Sequence, residues 1–354
     1  MMHRRILLAT PALLLAELSA GAAFRPAQAQ IQAQTPAQAQ APAKVRIGQA
    51  TPAVSFLPIQ AARALGSFPA AGLDLDWAAI PGGDPACLAA LDSGDIDLAA
   101  VGSETLLNAI AKGQPYQMVA SLMSKVSLEL VLSNKAIEHT GVSPADDPLE
   151  KRLAALKGLT VGVSAIGGTQ DRAARWLARQ AGIDPKTGVS IAMAGPPPAL
   201  QAAMEAGRID AFVLSPPEGL LAEDARIGQV LIRMGDEFPA LKGVPSLVLA
   251  VKTPVDAARR ALVVETCKAL RAACTALLAD PPGTAAKIQA ALYPRIKAPV
   301  LQAAVLGLRT GIAGHGRIDP ASIPALLAYA GDAATGLDPK SAFWTNEYWD
   351  AAGA

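Results

Sequence analysis

The feature that most constrains this chain is that it repeats itself. Lys44-Val45-Arg46-Ile47-Gly48 leads through a polar loop to Ala61-Ala62-Arg63-Ala64-Leu65-Gly66, and Gly158-Leu159-Thr160-Val161-Gly162 leads through another to Ala173-Ala174-Arg175-Trp176-Leu177. Farther along, Ala90 to Ala99 matches Ala203 to Phe212, both centred on Gly-x-Ile-Asp. Gly48 and Gly162 are 114 residues apart, and Asp97 and Asp210 are 113 apart. Two separate pairs of segments at nearly one offset imply two similar folding units.

Each unit reads strand, loop, helix, strand, loop, helix, strand. In the first, Val45 to Gln49 is a strand, Pro58 opens a helix that Gly66 ends, and Leu73 to Ala78 is the second strand. Asp84-Pro85 reads as N-cap plus first helical residue, Gly94 as the stop, and Ile96 to Val101 as a buried strand, with Ser103 capping the next helix. The second unit runs Leu159 to Val163, a helix opening near Gly168-Thr169 and closing at Gly182, then Val189 to Met193. Pro198 starts a helix that Gly207 stops, and Asp210 to Leu214 precedes Ser215-Pro216, again cap plus first residue. Strands alternating with helices predict α/β units with parallel sheets, and two such sheets side by side make a cleft. Gln229 to Met234 and Ser246 to Val251 read as further strands. Thr253-Pro254 is expected to cap a long helix to Ala279, with helices at 283–292, 298–312 and 320–331 beyond it. Phe343, Trp344, Tyr348 and Trp349 should pack down on a lobe.

The N-terminus reads as an address. His3, Arg4 and Arg5 precede an apolar run, Ile6 to Leu15, and Ala27-Gln28-Ala29 is a small-x-small cleavage pattern, so residues 1–29 are expected to be a signal peptide. Residues 30–43, rich in Ala, Gln and Pro, are expected to form a flexible leader. No cysteine lies near the cleavage pattern to carry a lipid anchor. Cys87, Cys267 and Cys274 are expected as buried small hydrophobes. With 51% hydrophobic residues the 354-residue chain has ample material for cores. Its 31 basic and 30 acidic residues leave a net charge of +1, which disfavours nucleic acid as a partner. The mean hydropathy of +0.30 comes largely from alanine, and past residue 20 no apolar run is long enough to span a bilayer.

Ala64 to Phe68, Gly82-Gly83 after the second strand, and the Ala90 to Gly102 segment (A-L-x-S-G-D-I-D-L-A-x-x-G), together with the export signal, resemble the periplasmic substrate-binding proteins of ABC importers. The resemblance is to the nitrate/sulfonate/taurine and thiamine-pyrimidine (NMT1/THI5-like) group and covers about residues 44–335. It implies an α/β, two-lobed periplasmic binding protein fold of type II with a central cleft and two crossing hinge strands. Lobe 1 would be 44–130 plus 246–354 and lobe 2 would be 134–242, with Ser127 to Leu132 and Pro245 to Leu249 as the crossings. The resemblance further implies a soluble periplasmic monomer that captures a small molecule and delivers it to an inner-membrane ABC permease. A periplasmic sensor or adaptor of the same fold is the alternative, followed by an enzyme like the eukaryotic thiamine-pyrimidine synthases.

In parallel α/β sheets, ligands bind beyond the carboxyl ends of strands, at loops leading into helix N-termini. That rule selects Ser55, Phe56, Gly82, Gly83, Ser103 and Glu104 from the first lobe, and Gly167, Gly168, Thr169 and Ser215 from the second. None of these loop tips carries an arginine to fork a sulfonate or carboxylate, and Glu104 would repel an anion. A neutral or amine-bearing ligand is therefore expected, with Glu104 accepting its hydrogen bonds and Phe56 stacking on it. Chemistry is not expected. The histidines, His3, His139 and His315, lie apart; CxxC, HExxH and GxSxG patterns are missing from the sequence; and no cofactor or metal motif is present. Asp95 and Asp97, at a strand start, read as turn formers rather than general bases.

Overall fold

The computed structural model describes residues 41–353; the expected signal peptide and most of the expected leader lie outside the described residues. Ten strands in this span build two five-stranded sheets: β1 (Ala43–Gln49), β2 (Leu73–Ala79), β3 (Leu98–Gly102), β4 (Tyr116–Lys125), β5 (Glu129–Ser133), β6 (Thr160–Val163), β7 (Ser190–Met193), β8 (Ala211–Leu214), β9 (Gly228–Arg233) and β10 (Lys242–Lys252). The sheet orders are β2-β1-β3-β10-β4 and β7-β6-β8-β5-β9. The first three strands of each unit are parallel, and the inserted strand, β10 in one sheet and β5 in the other, runs antiparallel to both neighbours.

The repeat is a repeat of packing. Gly48 in β1 leaves room for Ile96, since a Cβ there would lie 2.5 Å from the Ile96 Cδ1. Gly162 in β6 does the same for Ile209, again at 2.5 Å, and for Leu200 at 2.6 Å. The aspartate of each Ile-Asp pair then accepts the first strand's backbone: Arg46 N–H donates to Asp97 Oδ2 and Thr160 N–H to Asp210 Oδ2, each at 2.9 Å. Arg46 adds a forked side-chain pair to Asp97, at 3.0 and 2.6 Å. Burial opposes the ionised Asp97, but its hydrogen bonds from Arg46 hold its carboxyl below the ordinary range. Asp97 is thus a structural brace, in keeping with the turn reading.

The chain passes between sheets twice. β4 ends at Lys125 and β5 begins at Glu129, so Val126 to Leu128 form the first connection; it shares Ser127 and Leu128 with the expected crossing, whose remaining residues, Glu129 to Leu132, belong to β5. The second differs from expectation: Pro245 to Leu249 lie inside β10, where Leu247 pairs with Gly102 of β3 and Met123 of β4. The connection runs earlier, from Met234 to Leu241, and the strand of the first sheet starts at Lys242 rather than 246. Gly243 and Pro245 made the start of that strand hard to place, because both residues read as breakers within a strand pattern.

Helices Ala257–Ala279, Pro281–Leu292, Ala298–Leu308 and Ile323–Ala330 follow β10. The long helix is capped by Asp256, which accepts from Arg259 N–H, and not by Thr253; Asp280 ends that helix by capping the next, accepting from Gly283 N–H. Phe343, Tyr348 and Trp349 are buried, and Met118 exchanges backbone hydrogen bonds with Phe343 and Thr345, so the tail packs on the free edge of β4. The three cysteines are free and buried; desolvation pushes the thiols of Cys267 and Cys274 up to about 12. Among the described residues no helix is long and apolar enough to cross a membrane.

Candidate functional site

The loops at the carboxyl ends of β1, β2, β3, β6 and β8 face one another across the two sheets. Ser55 and Phe56 follow β1, Gly83 and Asp84 follow β2, Gly168 and Thr169 follow β6, and Ser215 follows β8. All seven line one small cavity, which Leu128 of the first connection also touches. The remaining expected residues lie elsewhere. Gly82 is exposed one residue outside the lining, Ser103 is fully buried at a helix start, and Gly167 sits outside the cavity.

Glu104 turns to a different space. It lines an open groove with Arg172, Trp176, Arg179 and Tyr329, formed by helix Thr169–Gln180 against the C-terminal helices. It is 2% exposed, and its Oε1 has no hydrogen-bond partner. Burial pushes its carboxyl up to about 7. The Tyr329 phenol beside it is likewise buried and unpaired, and burial, then Glu104, raises it well above the ordinary value.

The expected N-caps move, from Ser103 to Gly102, from Asp84 to Gly82 and from Ser215 to Pro217. Gly102, extended at φ −68° and ψ 134°, caps helix Ser103–Ala111, and Gly168 caps helix Thr169–Gln180. Ser103 and Thr169 are therefore first helical residues, while Ser215 precedes a helix that starts only at Glu218 and is bonded instead to Ser127, Oγ to Oγ at 3.0 Å. Likewise Gly82 and Gly83, with φ of 99° and 72°, bring the helix start back to Gly83. Asp84 thereby becomes the second helical residue rather than the cap.

That displacement gives Asp84 the central position. Its carboxylate accepts the Thr169 N–H at 3.0 Å and the Thr169 hydroxyl at 2.5 Å from the other lobe. From its own lobe it accepts the Gly102 N–H at 3.1 Å and the Thr105 hydroxyl at 3.4 Å. One carboxylate thus accepts the N–H of the cap residue of one glycine-capped helix and of the first residue of the other, neither cap having a side chain to offer. The lobes approach so closely here that a Cβ on Gly102 would lie 1.7 Å from Thr169 Oγ1.

A second acid, Glu218, also lines the cavity; burial pushes its carboxyl up to about 7, and the Gln201 amide, donating at 2.8 Å, pulls the other way. The lining contains no arginine, lysine or histidine. Sequence reasoning missed Asp84 and Glu218 as site residues: the first carries a local capping signature, and the second lies three residues beyond the expected cap. The cavity is small, with room for only a few water molecules. Across its lining the arrangement presents two carboxylates, hydroxyls and the Phe56 ring. Such a set can hold a neutral or positively charged solute by hydrogen bonds and an apolar face. Among the described residues no group of three or more His, Cys, Asp or Glu is placed to hold a metal ion.

The chain is similar to several solved structures. A protein of Bordetella bronchiseptica RB50 superposes with a TM-score of 0.72 at 25% identity, over 88% of this chain and 97% of that one. The periplasmic nitrate-binding protein NrtA of Synechocystis PCC 6803 gives 0.70 at 14% identity, over 88% of each chain. The ligand-binding component of an ABC-type import system from Staphylococcus aureus gives 0.69 at 16% identity, over 88% and 99%. The fold is therefore that of the periplasmic binding proteins, with two mixed sheets flanked by helices. No curated protein matches the sequence. The model of the NMT1-like family matches residues 38–292, which span both repeated units and every loop of the cavity, and the chain belongs to that family.

Proposed function

We propose that this protein is the solute-binding component of an ABC importer, acting in the periplasm as a soluble monomer and delivering its cargo to an inner-membrane permease. It captures a small neutral or amine-bearing organic molecule between the lobes and closes on it by flexing at Val126–Leu128 and Met234–Leu241. The observation that carries this reading is the interlobe cavity, lined by Asp84, Glu218 and Phe56 and by no cationic side chain, on a fold shared with the ligand-binding component of an ABC-type import system and with a periplasmic nitrate-binding protein. Closure around a solute suits delivery, because it buries the cargo and presents a distinct shape to a permease. A binding role rather than catalysis suits the polar groups of the cavity: Ser215 is engaged with Ser127, and the carboxylates face hydroxyls and amides rather than an activated nucleophile.

The experiment is a thermal-shift screen of residues 30–354 against amines, aminopyrimidines, small aromatic acids, sulfonates and nitrate, since a solute that binds only the native state raises the melting temperature by mass action. A saturable shift with amines or aminopyrimidines, reduced about tenfold in affinity by Glu218→Gln, is expected. A response confined to sulfonates or nitrate would overturn the ligand class.

A further inference from the structure

We propose that Asp84 is the specificity-determining residue of the cleft: a tethered carboxylate that latches the lobes together and keeps anionic solutes out. The proposal rests on the reading of the cleft as a solute site and narrows what that site accepts. Two helices, Ser103–Ala111 from one lobe and Thr169–Gln180 from the other, point their N-termini at the same spot. Converging N-termini carry partial positive charge and unsatisfied N–H groups, which is the environment an incoming anion would need. Here the protein supplies the anion itself. Asp84 is 6% exposed and accepts from Gly102, Thr105 and Thr169, with contributions from both lobes.

Three observations make this more than an ordinary cap. Gly102 and Gly168 hold the two cap positions, so neither helix has a local side chain that would make Asp84 redundant. Gly82 and Gly83 both adopt positive φ, which turns the loop so that the following residue faces the opposite lobe. The position equivalent in the second unit, 113 residues on, is Pro197, so the carboxylate is present on one side only. A free anion would have to displace Asp84 from its donors and then sit beside a displaced like charge, with no cationic side chain in the lining to offset either cost. An ammonium group would instead be drawn to the same carboxylate as the lobes open.

The test uses the intact exported chain, wild type beside Asp84→Ala and Asp84→Asn. Binding of sulfate, nitrate and methanesulfonate is measured by titration calorimetry, and lobe separation by small-angle scattering in anion-poor buffer. Expected are no saturable anion binding by wild type, an affinity gain of about tenfold or more for at least one anion in Asp84→Ala, and a larger radius of gyration for that variant that shrinks when the anion is added. Should Asp84→Ala fail to fold, Asp84→Asn, which keeps the shape and removes the charge, carries the same expectation. A cooperatively melting variant that neither opens nor gains anion binding overturns the proposal, as does a wild type that binds these anions as tightly as the variant. Failure of the amine screen leaves the latch standing, because anion gain and opening are read without any amine.

Discussion

At the scale of single residues, three partly or fully buried carboxyls set the pH behaviour. Burial raises Glu104, Glu129 and Glu218 to about 7. Each folded-state value lies above the unfolded one, so between about pH 4.5 and 7 the folded state holds more protons, and stability falls as pH rises through that window. Glu104, with an unpaired Oε1 beside Tyr329, should contribute up to about 3 kcal/mol of this. Thermal melts are therefore expected to be higher at pH 5.5 than at pH 8 for wild type, with a flatter profile for Glu104→Gln. Equal pH dependence in the two proteins would remove Glu104 from this role. Glu218 predicts the opposite trend for binding. Its protonated form offers an ammonium no charge partner, so amine affinity should rise from about pH 6 to pH 8 and lose that rise in Glu218→Gln.

At the scale of elements, each lobe depends on a glycine in its first strand. A Cβ at position 162 would meet Ile209 and Leu200 at 2.5 and 2.6 Å, and both side chains are buried with little room to shift. Gly162→Ala is expected to destabilise the protein by about 1–2 kcal/mol despite its lower unfolded-state entropy, as a lower denaturant midpoint would show. An unchanged midpoint would mean that the Ile209 and Leu200 side chains rotate away without loss. These glycines, the isoleucines they face and the two bracing aspartates are the residues that made the repeat visible. Their spacing is therefore a consequence of one packing solution used twice. The sequence pattern marked no strand over β4 and set the start of β10 at 246 rather than 242, and both lie outside the repeated segments.

For the whole molecule, closure is decided where Gly102 meets Thr169. A methyl group at Gly102 would lie 1.7 Å from Thr169 Oγ1 and 2.9 Å from its Cβ, so turning the side chain is not enough and the lobes themselves must stay apart. Gly102→Ala should leave each lobe folded, enlarge the radius of gyration, and weaken solute capture by about tenfold or more. A variant as compact as wild type would show that the Thr169 backbone can yield. Other interlobe contacts, the edge-on Trp176–Tyr329 pair and the Lys297–Asp224 ion pair, lie away from the cavity and do not relieve that clash.

The repeat, the alternation of strands and helices, and the Gly-Ile-Asp spacing were enough to determine two α/β lobes and the loops that face the cleft. These features are legible because they arise from contacts within one unit, between residues near in sequence. Six of the expected site residues, Ser55, Phe56, Gly83, Gly168, Thr169 and Ser215, come together in the cavity for that reason. What happens between the lobes was decided only in three dimensions. Asp84 before Pro85 reads as a local cap, and Glu104 in a first turn reads as facing the ligand; which N–H groups a carboxylate accepts, and which space it enters, depends on what the opposite lobe brings within about 3 Å of it. The tertiary structure turned Asp84 into the acid at the centre of the cleft and sent Glu104 to the groove beside Tyr329, because hydrogen bonds and burial act through space while the capping signal acts along the chain.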